Sequence, residues 1–351
     1  MSEFKVNTIT NRDGSYGPQV CGITTFGSSG MQLPSGPTEM RGGRGRGVVA
    51  GGYSSYTDII NKFEIATTGN AIDFGNLNQT LRGPSNGVSS STRGLFAGGL
   101  GPSGNTSLSV ISYVIISSEG GVNDYGDLTQ ARFMINGHSN NTRGIFTGGY
   151  TPTSPADHVK TIDFVNIAST GNAMGFGDIQ SVSGNKWSTF GSGSSPTRGV
   201  FGGGYYGSPG TDLANINYIT IATLGNSETF GSLTVARRDV GGLSSSTRAI
   251  FAGGTVGGDP SSNNTIDYVT IATLGNATDF GDMTEGGRNR PGCASNSIRG
   301  TFSGGRISGS GVDSISFLTI ATTGNTAGFG DLTYSLYELG GFSDTHGGLA
   351  Q

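Results

Sequence analysis

Few residues of this 351-residue chain have the types and spacing that catalysis requires. The three histidines, His138, His158 and His346, form no pair at metal-ligand spacing, and neither do Cys21 and Cys293. His138 and His346 fall near the junctions of repeated units, where the default expectation is a histidine in a surface loop. We therefore predict no catalytic residues, no metal site and no cofactor.

Other polar groups lie in segments that look like loops. Asp157, Asp212 and Asp259 are either solvated carboxylates or, if several oxygens converge, calcium ligands. The glycine-rich phrases are not followed by a helix or by Gly-Lys-Ser/Thr, so they do not read as phosphate loops. The one tryptophan, Trp187, lies outside any Ser-x-Asp-x-Gly-x-x-Trp box of the sialidase kind. It is either an exposed recognition residue or a side chain packed over a sheet edge.

Composition narrows the possible partners. Charged residues make up 13% of the chain and the net charge is −4, which gives no electrostatic reason to expect nucleic acid binding. No apolar run is long enough to span a membrane, and the first residues lack the apolar core of a secretory signal. We expect a protein that stays in the cytoplasm unless it leaves as part of a larger particle.

Between these loops a seven-residue sequence motif, which we call the phrase, recurs six times. Each copy is an arginine, then Gly or Ala, three further residues and a Gly-Gly pair. The copies begin at Arg46, Arg93, Arg143, Arg198, Arg248 and Arg299. The differences between successive arginine numbers are 47, 50, 55, 50 and 51. A period near fifty made of short strand-like pieces is typical of propeller blades.

The fifth repeat gives the clearest view of one unit. Arg248–Gly254 is a short apolar strand that ends in the glycine pair, and a variable polar loop follows. Residues 266–273 are β-branched and aromatic, as strands prefer, and Leu274–Asn276 forms a turn. Residues 278–283 supply the next strand. With the stretch before the next arginine, the pattern predicts four short strands and no amphipathic helix.

Two aromatic positions recur in every repeat, and we predict that they form the core between blades rather than six copies of a ligand-stacking site. The first set is Phe63, Tyr113, Phe164, Tyr218, Tyr268 and Phe317; the second is Phe74, Tyr125, Phe176, Phe230, Phe280 and Phe329.

The repeated arginine has two interpretations. It could form a fork with the aspartate of Phe/Tyr-Gly-Asp, at Asp127, Asp178, Asp282 and Asp331, and tie strands of a blade together. Alternatively, the six arginines could surround a channel and bind an anion. We favour the structural role.

An apolar strand ending in Gly-Gly, a loop, an aromatic strand and an aromatic ending together resemble the kelch-type propeller motif over residues 44–351. In kelch blades a tryptophan usually marks the fourth strand, where this chain has Phe280 and its equivalents. Gly340–Thr345 aligns with Gly241–Ser246, the segment that precedes a phrase, whereas no such segment precedes Arg46. We predict an all-β, six-bladed propeller whose first blade is completed by a C-terminal strand clasp around residues 340–350.

Residues 1–43 lie outside the repeat and predict an extended N-terminal arm. Their pattern Val-Asn-x-Ile-x-Asn-x-x-Gly-x-x-Gly-Pro, followed by Gly-Ile-Thr, resembles the N-terminal segments of appendage proteins of tailed bacteriophages. The repeat text Ile-Ala-Thr-x-Gly-Asn-Ala-x-Asp-Phe-Gly-Asp-Leu-Thr also resembles kelch-like virion proteins of marine phages. The resemblance implies several copies mounted on a phage tail or capsid by the arm, with Val6, Ile9, Ile23 and Phe26 as attachment residues.

Two functions of different class follow. The first is a virion structural protein, assembled in the host cytoplasm, whose arm contacts other virion proteins while its propeller meets a host-surface glycan, a receptor or another protein. Loops after each Gly-Gly pair would supply the contacts, with Tyr150, Trp187, Tyr205 and Tyr206 as candidates. The alternative is a lyase or glycosidase that degrades polysaccharide, which for a glycosidase requires paired carboxylates.

Overall fold

A computed structural model describes most of the chain beyond residue 44. The described residues are 45–53, 57–102, 106–152, 157–180, 188, 190–206, 211–257 and 263–349, with the backbone of Thr24–Thr25 and Met31–Gln32. Contacts divide the chain into two compact units, Met1–Glu39 and Met40–Gln351. In the first unit the two short strands pair antiparallel. The predicted attachment residues Val6, Ile9, Ile23 and Phe26 lie outside the described residues, and their role stays a prediction.

The second unit is a six-bladed β-propeller, as predicted. Blade numbers follow the six phrases, and each phrase forms the second strand of its blade, counted from the central axis. The second strands are Arg46–Ala50, Arg93–Ala97, Arg143–Thr147, Arg198–Gly202, Arg248–Ala252 and Arg299–Ser303. The inner strands of blades 3 to 6 and of blade 1 are Asn136–Ser139, Gly191–Ser194, Gly241–Ser244, Gly292–Ser295 and Gly340–Ser343.

The third and outer strands complete each antiparallel blade. The third strands are Thr57–Glu64, Val110–Ile115, Thr161–Asn166, Asn215–Thr220, Thr265–Thr270 and Ser310–Thr319. The outer strands are Ile72–Leu81, Asn123–Asp127, Met174–Asp178, Glu228–Ser232, Thr278–Asp282 and Ala327–Leu336. The inner position of blade 2 is filled by residues 85–89, where Ser85 and Val88 exchange backbone hydrogen bonds with the second strand.

Short additional elements decorate this frame. Three two-residue strand pairs join Tyr150–Thr151 to Asp157–His158, Tyr205–Tyr206 to Thr211–Asp212, and Arg288–Asn289 to Arg306–Ile307. A 3₁₀ turn covers Gly347–Leu349. No helix among the described residues is long and apolar enough to cross a membrane.

The predicted clasp closes the ring. Gly340–Ser343 pairs antiparallel with the second strand of blade 1, with Gly47 opposite Ser343 and Ala50 opposite Gly340. Phe342 from this C-terminal strand is buried against Phe96 of blade 2, with ring centroids 4.7 Å apart. Blade 1 is therefore built from both ends of the propeller sequence.

The repeated aromatics do form the core between blades. Six buried clusters each combine residues of two neighbouring blades. The second set, from Phe74 to Phe329, is 2–4% exposed. Within a blade the two aromatics meet edge to face, as Tyr268 and Phe280 do at 5.9 Å between centroids, the arrangement that ring quadrupoles favour.

The predicted fork between each phrase arginine and an aspartate is wrong. Arg93 pairs with Ile115 at the end of the third strand, whereas Asp127 lies opposite Val110 at its start, so the two side chains stand at opposite ends of the blade. Arg93 instead stacks on the Tyr113 ring and donates a 2.7 Å hydrogen bond to the carbonyl of Ala168 in blade 3. The other five arginines likewise donate to backbone carbonyls of the next blade: Arg46, Arg143, Arg198, Arg248 and Arg299.

The repeated Phe-Gly and Gly-Asn pairs join neighbouring blades at the periphery. A Cβ on Gly231 of blade 4 would lie 2.1 Å from the carbonyl oxygen of Gly275 in blade 5, so only glycine allows this approach. Gly275 donates its N–H to the Phe230 carbonyl, and the side chain of Asn276 accepts from the backbone of Ser232. The most regular part of the sequence is therefore scaffold.

Both histidines expected in surface loops are fully buried, which corrects that expectation. His138 belongs to the inner strand of blade 3 and packs against Phe201 of blade 4. His346 lies at the central axis, where its Nδ1 accepts the Gly348 N–H and its Nε2 lies 3.1 Å from Ser139 Oγ. The C-terminal residues turn inward after the clasp instead of leaving the ring, and this inward turn buries His346.

The burial of these groups predicts how stability depends on pH. Burial lowers the pKa of both His138 and His346 to about 4, while burial raises the pKa of Asp344 to about 6. Below the ordinary histidine pKa of about 6.5 the unfolded chain takes up two protons that the folded chain excludes, so acidification from pH 7 to pH 4.5 lowers the free energy of unfolding by about 2.5 kcal/mol for each histidine. Asp344 has the opposite effect. Between pH 6 and pH 4.5 it raises the free energy of unfolding by about 2 kcal/mol, because in this range the folded chain takes up a proton at Asp344 and the unfolded chain does not.

We therefore expect these three groups together to lower the free energy of unfolding by about 3 kcal/mol between pH 7 and pH 4.5. Urea unfolding at both pH values measures the loss. His346→Gln should make the loss smaller by about 2.5 kcal/mol, because glutamine does not titrate. An unchanged loss in this variant would show that His346 is not buried in its neutral form.

Candidate functional site

The two faces of the propeller carry different kinds of residue. We call the face that bears the six phrase arginines the arginine face; the turns between third and outer strands also lie there. The opposite face bears the loops after each Gly-Gly pair and the connectors from the outer strand of one blade to the inner strand of the next. We call it the connector face. Scaffold residues repeat on the first, whereas the second differs from blade to blade.

The connectors are tied into a ring at the mouth of the central channel. Met134 donates its backbone N–H to the carbonyl of Gly83 at 3.2 Å, and Gly83 donates to Glu338 at 3.0 Å. Glu338 in turn donates to Arg290, and Arg290 to Asp239, each at 3.0 Å. These five residues, one from each of five connectors, form the connector ring.

Four members of the connector ring have a positive φ angle, which is unfavourable for any residue that carries a side chain. Their φ values are 55° at Met134, 60° at Asp239, 51° at Arg290 and 61° at Glu338. Gly83 adopts the same conformation, with φ at 62°, and shows that glycine suffices for the geometry. A residue with a side chain at such a φ costs on the order of 1 kcal/mol or more, and backbone strain of this kind clusters at functional sites.

Side chains of the ring form one ion-pair network. Arg290 contacts Asp239 Oδ1 through Nε at 2.9 Å and Glu338 Oε1 through Nη1. Arg82 holds Glu338 as a fork, with Nε on one carboxylate oxygen and Nη2 3.0 Å from the other. The network joins four connectors, and its carboxylates are more deeply buried than its guanidinium groups.

Aromatic side chains flank this network on one side. Tyr53 and Tyr337 pair through their backbones and meet edge to face at 5.3 Å. Arg82 lies over the Tyr53 ring at 4.4 Å, and Arg306 lies over the Tyr337 ring at 5.7 Å. Both tyrosines are half-buried, so their rings remain accessible beside the charged groups.

A second aromatic group spans blades 3 to 5 on the same face. His158 lies between Tyr150 and Tyr205, with ring centroids 5.1 and 5.5 Å away. Arg238 stacks over Tyr205 at 4.3 Å and contacts Asp212 at 3.3 Å. The structure thus brings together two of the predicted contact residues, Tyr150 and Tyr205, although their role as contacts stays a prediction.

The other predicted contacts have different environments. Tyr206 is partly buried and packs against the core between blades 3 and 4. Trp187 lies outside the described residues, as does Asp259. Asp212, considered as a calcium ligand, is engaged by Arg238 and by the Gly257 N–H. Within the described ranges no three His, Cys, Asp or Glu side chains come together as metal ligands would.

A depression at the channel mouth lies inside the connector ring. It encloses about 420 Å³, part of it open to solvent. Its polar walls come from Asn86, Asn136, Asp239, Arg290 and Glu338, and its apolar walls include Pro84, Met134, Pro291 and Leu339. The arrangement can hold a small polar group between the Arg290 guanidinium and apolar walls. No protein-family model and no curated protein matches the chain.

The sequence did not single out the charged and aromatic residues of this mouth. Arg82, Asp239, Arg290 and Glu338 fall in the stretches between outer and inner strands, which carry no periodic pattern. One signal was available: at aligned connector positions the repeats differ in residue type, while the strands around them hardly vary. Residues that vary within a rigid repeat are the ones that the scaffold does not dictate.

Proposed function

We propose that this chain is a virion structural protein of a tailed bacteriophage, anchored by its N-terminal arm and presenting the connector face to a host-surface glycan or to another protein. The observation that carries the proposal is the polarity of the propeller. The first described residues of the propeller and its C-terminal turn lie on one face, and the variable aromatic and charged residues lie on the other.

The entry and the C-terminal turn both belong to the arginine face. Gly45, the first described residue of the propeller, adjoins Thr345 and Asn296 there. Gly347–Leu349 packs against the ends of the inner strands, where Gly348 approaches the carbonyl of Ser139. In the proposed arrangement the arginine face is turned toward the particle, and the connector face is free for contacts.

Sequence resemblance supports the phage origin. Residues 1–43 resemble the N-terminal segments of tailed-phage appendage proteins, and the repeats resemble kelch-like virion proteins. The phrase arginine and the Phe-Gly pair have scaffold roles in every blade, which explains why the same sequence pattern recurs in every repeat. Several copies per particle, on tail or capsid, would give many weak contacts a combined avidity.

Substitutions on the two faces test which one binds. We expect Tyr150→Ala/Tyr205→Ala to weaken binding to host-cell polysaccharide at least tenfold, because partly buried aromatic anchors dominate such contacts. Leu224→Ala/Leu274→Ala removes two side chains that are 59% and 56% exposed on the arginine face and should change binding less than twofold. Retention on immobilised polysaccharide measures both, with thermal melting as the folding control. If both variants lose the same amount of polysaccharide binding, the connector face is not the binding face.

The alternative, an enzyme that degrades polysaccharide, makes a different prediction. A bound polysaccharide would then be shortened, and reducing ends or unsaturated ends would accumulate with time. The proposed structural role predicts retention with no such products. The two carboxylates of the connector ring are each held by arginine, an arrangement that suits a fixed binding surface.

A further inference from the structure

We propose that the connector ring binds the carboxylate of an acidic sugar, a uronate residue, through Arg82 and Arg290. This inference rests on the proposed function and names the class of glycan that the connector face recognises. It depends on four observations: the hydrogen-bond donors that remain, the depth of the charges, the strained backbone and the neighbouring tyrosines.

Each arginine keeps donors for a ligand. A guanidinium has five N–H donors. Arg82 donates to Glu338 through Nε and Nη2, and Arg290 donates to Glu338 through Nη1. Arg290 Nε lies 2.9 Å from Asp239 Oδ1 as an ion pair without a hydrogen bond. No contact within the described residues involves Arg82 Nη1 or Arg290 Nη2. Two guanidinium ends therefore stand on either side of one carboxylate, and an anion with two oxygens could bridge them.

The depth of the charges favours an anion over a cation. The side chains of Glu338 and Asp239 are 1% and 6% exposed, whereas those of Arg82 and Arg290 are 22% and 27% exposed. The two carboxylates thus lie beneath the two guanidinium groups and orient them. The groups nearest to solvent are therefore the positively charged ones. Near a surface of low dielectric this layer attracts an incoming carboxylate despite the balanced total charge.

The strained backbone indicates that these side chains serve a purpose that glycine could not. Asp239, Arg290 and Glu338 occupy the same conformation as Gly83, which needs no side chain there. Their ion pairs recover part of the strain, but burying the two carboxylates carries a desolvation cost that offsets much of the attraction. Three consecutive connectors therefore retain charged residues at a net cost, as a preorganised binding site would.

The surroundings fit a sugar ring. Tyr53 and Tyr337 stand beside Arg82 as half-buried rings, and aromatic faces and edges accept the apolar side of a sugar. The depression at the channel mouth, which Arg290 and Glu338 border, adds apolar surface from Pro84, Met134 and Leu339. An acidic peptide offers a carboxylate too, but it does not need the tyrosines.

Calorimetric titration with defined oligosaccharides tests the proposal. The probes are tetragalacturonate and a hyaluronan tetrasaccharide, with maltotetraose as the neutral counterpart and tetraglutamate as the peptide. We expect a uronate to bind and maltotetraose not to bind. Arg82→Gln and Arg290→Gln should each weaken uronate binding at least tenfold, and Tyr337→Ala at least threefold. Lys160→Gln, which removes a charge paired with Asp178 away from the ring, should change it less than twofold.

Three outcomes would overturn the inference. These are no binding of either uronate, equal binding of maltotetraose, or tetraglutamate binding that survives Tyr337→Ala. If Arg82→Gln melts below the assay temperature, Arg82→Lys keeps the charge without the fork and should still weaken binding severalfold. Mass spectrometry of purified phage particles separates this inference from the proposed function. If the protein is present in particles but does not bind uronates, only the inference is refuted. If it binds uronates but is absent from particles, only the proposed function is refuted.

Discussion

A chain that lacks residues 340–351 is expected to lose the cooperative unfolding transition of the propeller. The deletion removes the inner strand of blade 1 and its ladder with Arg46–Ala50. It also removes Phe342, which is 2% exposed and stacks on Phe96. Loss of a buried phenylalanine alone costs about 3–5 kcal/mol, a large part of the 5–15 kcal/mol that stabilises a typical domain.

The deletion also opens the ring. The second strand of blade 1 would expose an unpaired edge, which invites aggregation. The His346 contacts at the central axis, which join the C-terminal residues to Ser89 and Ser139, would disappear as well. We expect a broad melting curve, strong binding of a hydrophobic dye and association at micromolar concentration.

Circular dichroism melting and size-exclusion chromatography measure these effects. A chain lacking only residues 350–351 is the matched control and should melt like the full chain. A synthetic peptide of residues 339–349 should restore a cooperative transition when added to the truncated chain, because it supplies the missing strand. A truncated chain that melts cooperatively at the original temperature would contradict the clasp.

The second large effect is expected at a buried ion pair inside blade 5. Arg237 and Asp267 are both fully buried, with Nη2 3.0 Å from Oδ2. Thr234 donates to the same carboxylate, and Arg237 also donates to the Phe251 carbonyl. Burial lowers the pKa of Arg237, partly offset by Asp267, so either partner left alone would be an uncompensated buried charge.

The chain itself supplies the control for this pair. At the junction of blades 6 and 1, Leu336 stands where Arg237 stands at the junction of blades 4 and 5. Asn61 of blade 1 stands where Asp267 stands in blade 5, and Thr333 donates to Asn61 at 2.7 Å. We expect Arg237→Leu and Asp267→Asn each to lower the free energy of unfolding by about 3–5 kcal/mol. The double variant reproduces the blade 1 arrangement and should lose less than about 1.5 kcal/mol.

Urea unfolding of the four chains gives the coupling energy of the pair. The same cycle at Arg132 and Asp163 of blade 3, which form an equivalent pair at 3.0 Å, should give a similar value. Additive losses in the double variant would mean that the two residues stabilise the blade independently, which would contradict a compensated pair.

The sequence allowed the fold to be predicted because the repeat is itself the scaffold. The phrase spacing set the blades, and the similarity between Gly340–Thr345 and the segment before a phrase predicted the clasp, since an inner strand without a blade must pair with a blade without an inner strand. The recurring aromatics predicted the core between blades for the same reason: a side chain needed at every interface appears in every repeat.

The errors arose where contacts depend on the closed ring. Arg93 and Asp127 are repeated together, but the antiparallel register places them at opposite ends of a blade. His346 lies after the last strand and looks like a terminal loop residue until the tail turns toward the axis. Glu338 and Arg290 meet only because six connectors converge on one channel mouth, and no local pattern in the sequence encodes that convergence.

Labelling of intact phage particles tests the central claim most directly. One antibody is raised against the connector-face hairpin Tyr205–Asp212, and a second against the arginine-face turn at residues 221–226, a sequence type that every blade presents. Electron microscopy with gold-labelled antibodies should show the first bound to the outside of purified particles and the second excluded. Absence of both labels, or binding of the arginine-face antibody alone, would contradict a propeller that is mounted by its arm and displays its connector face.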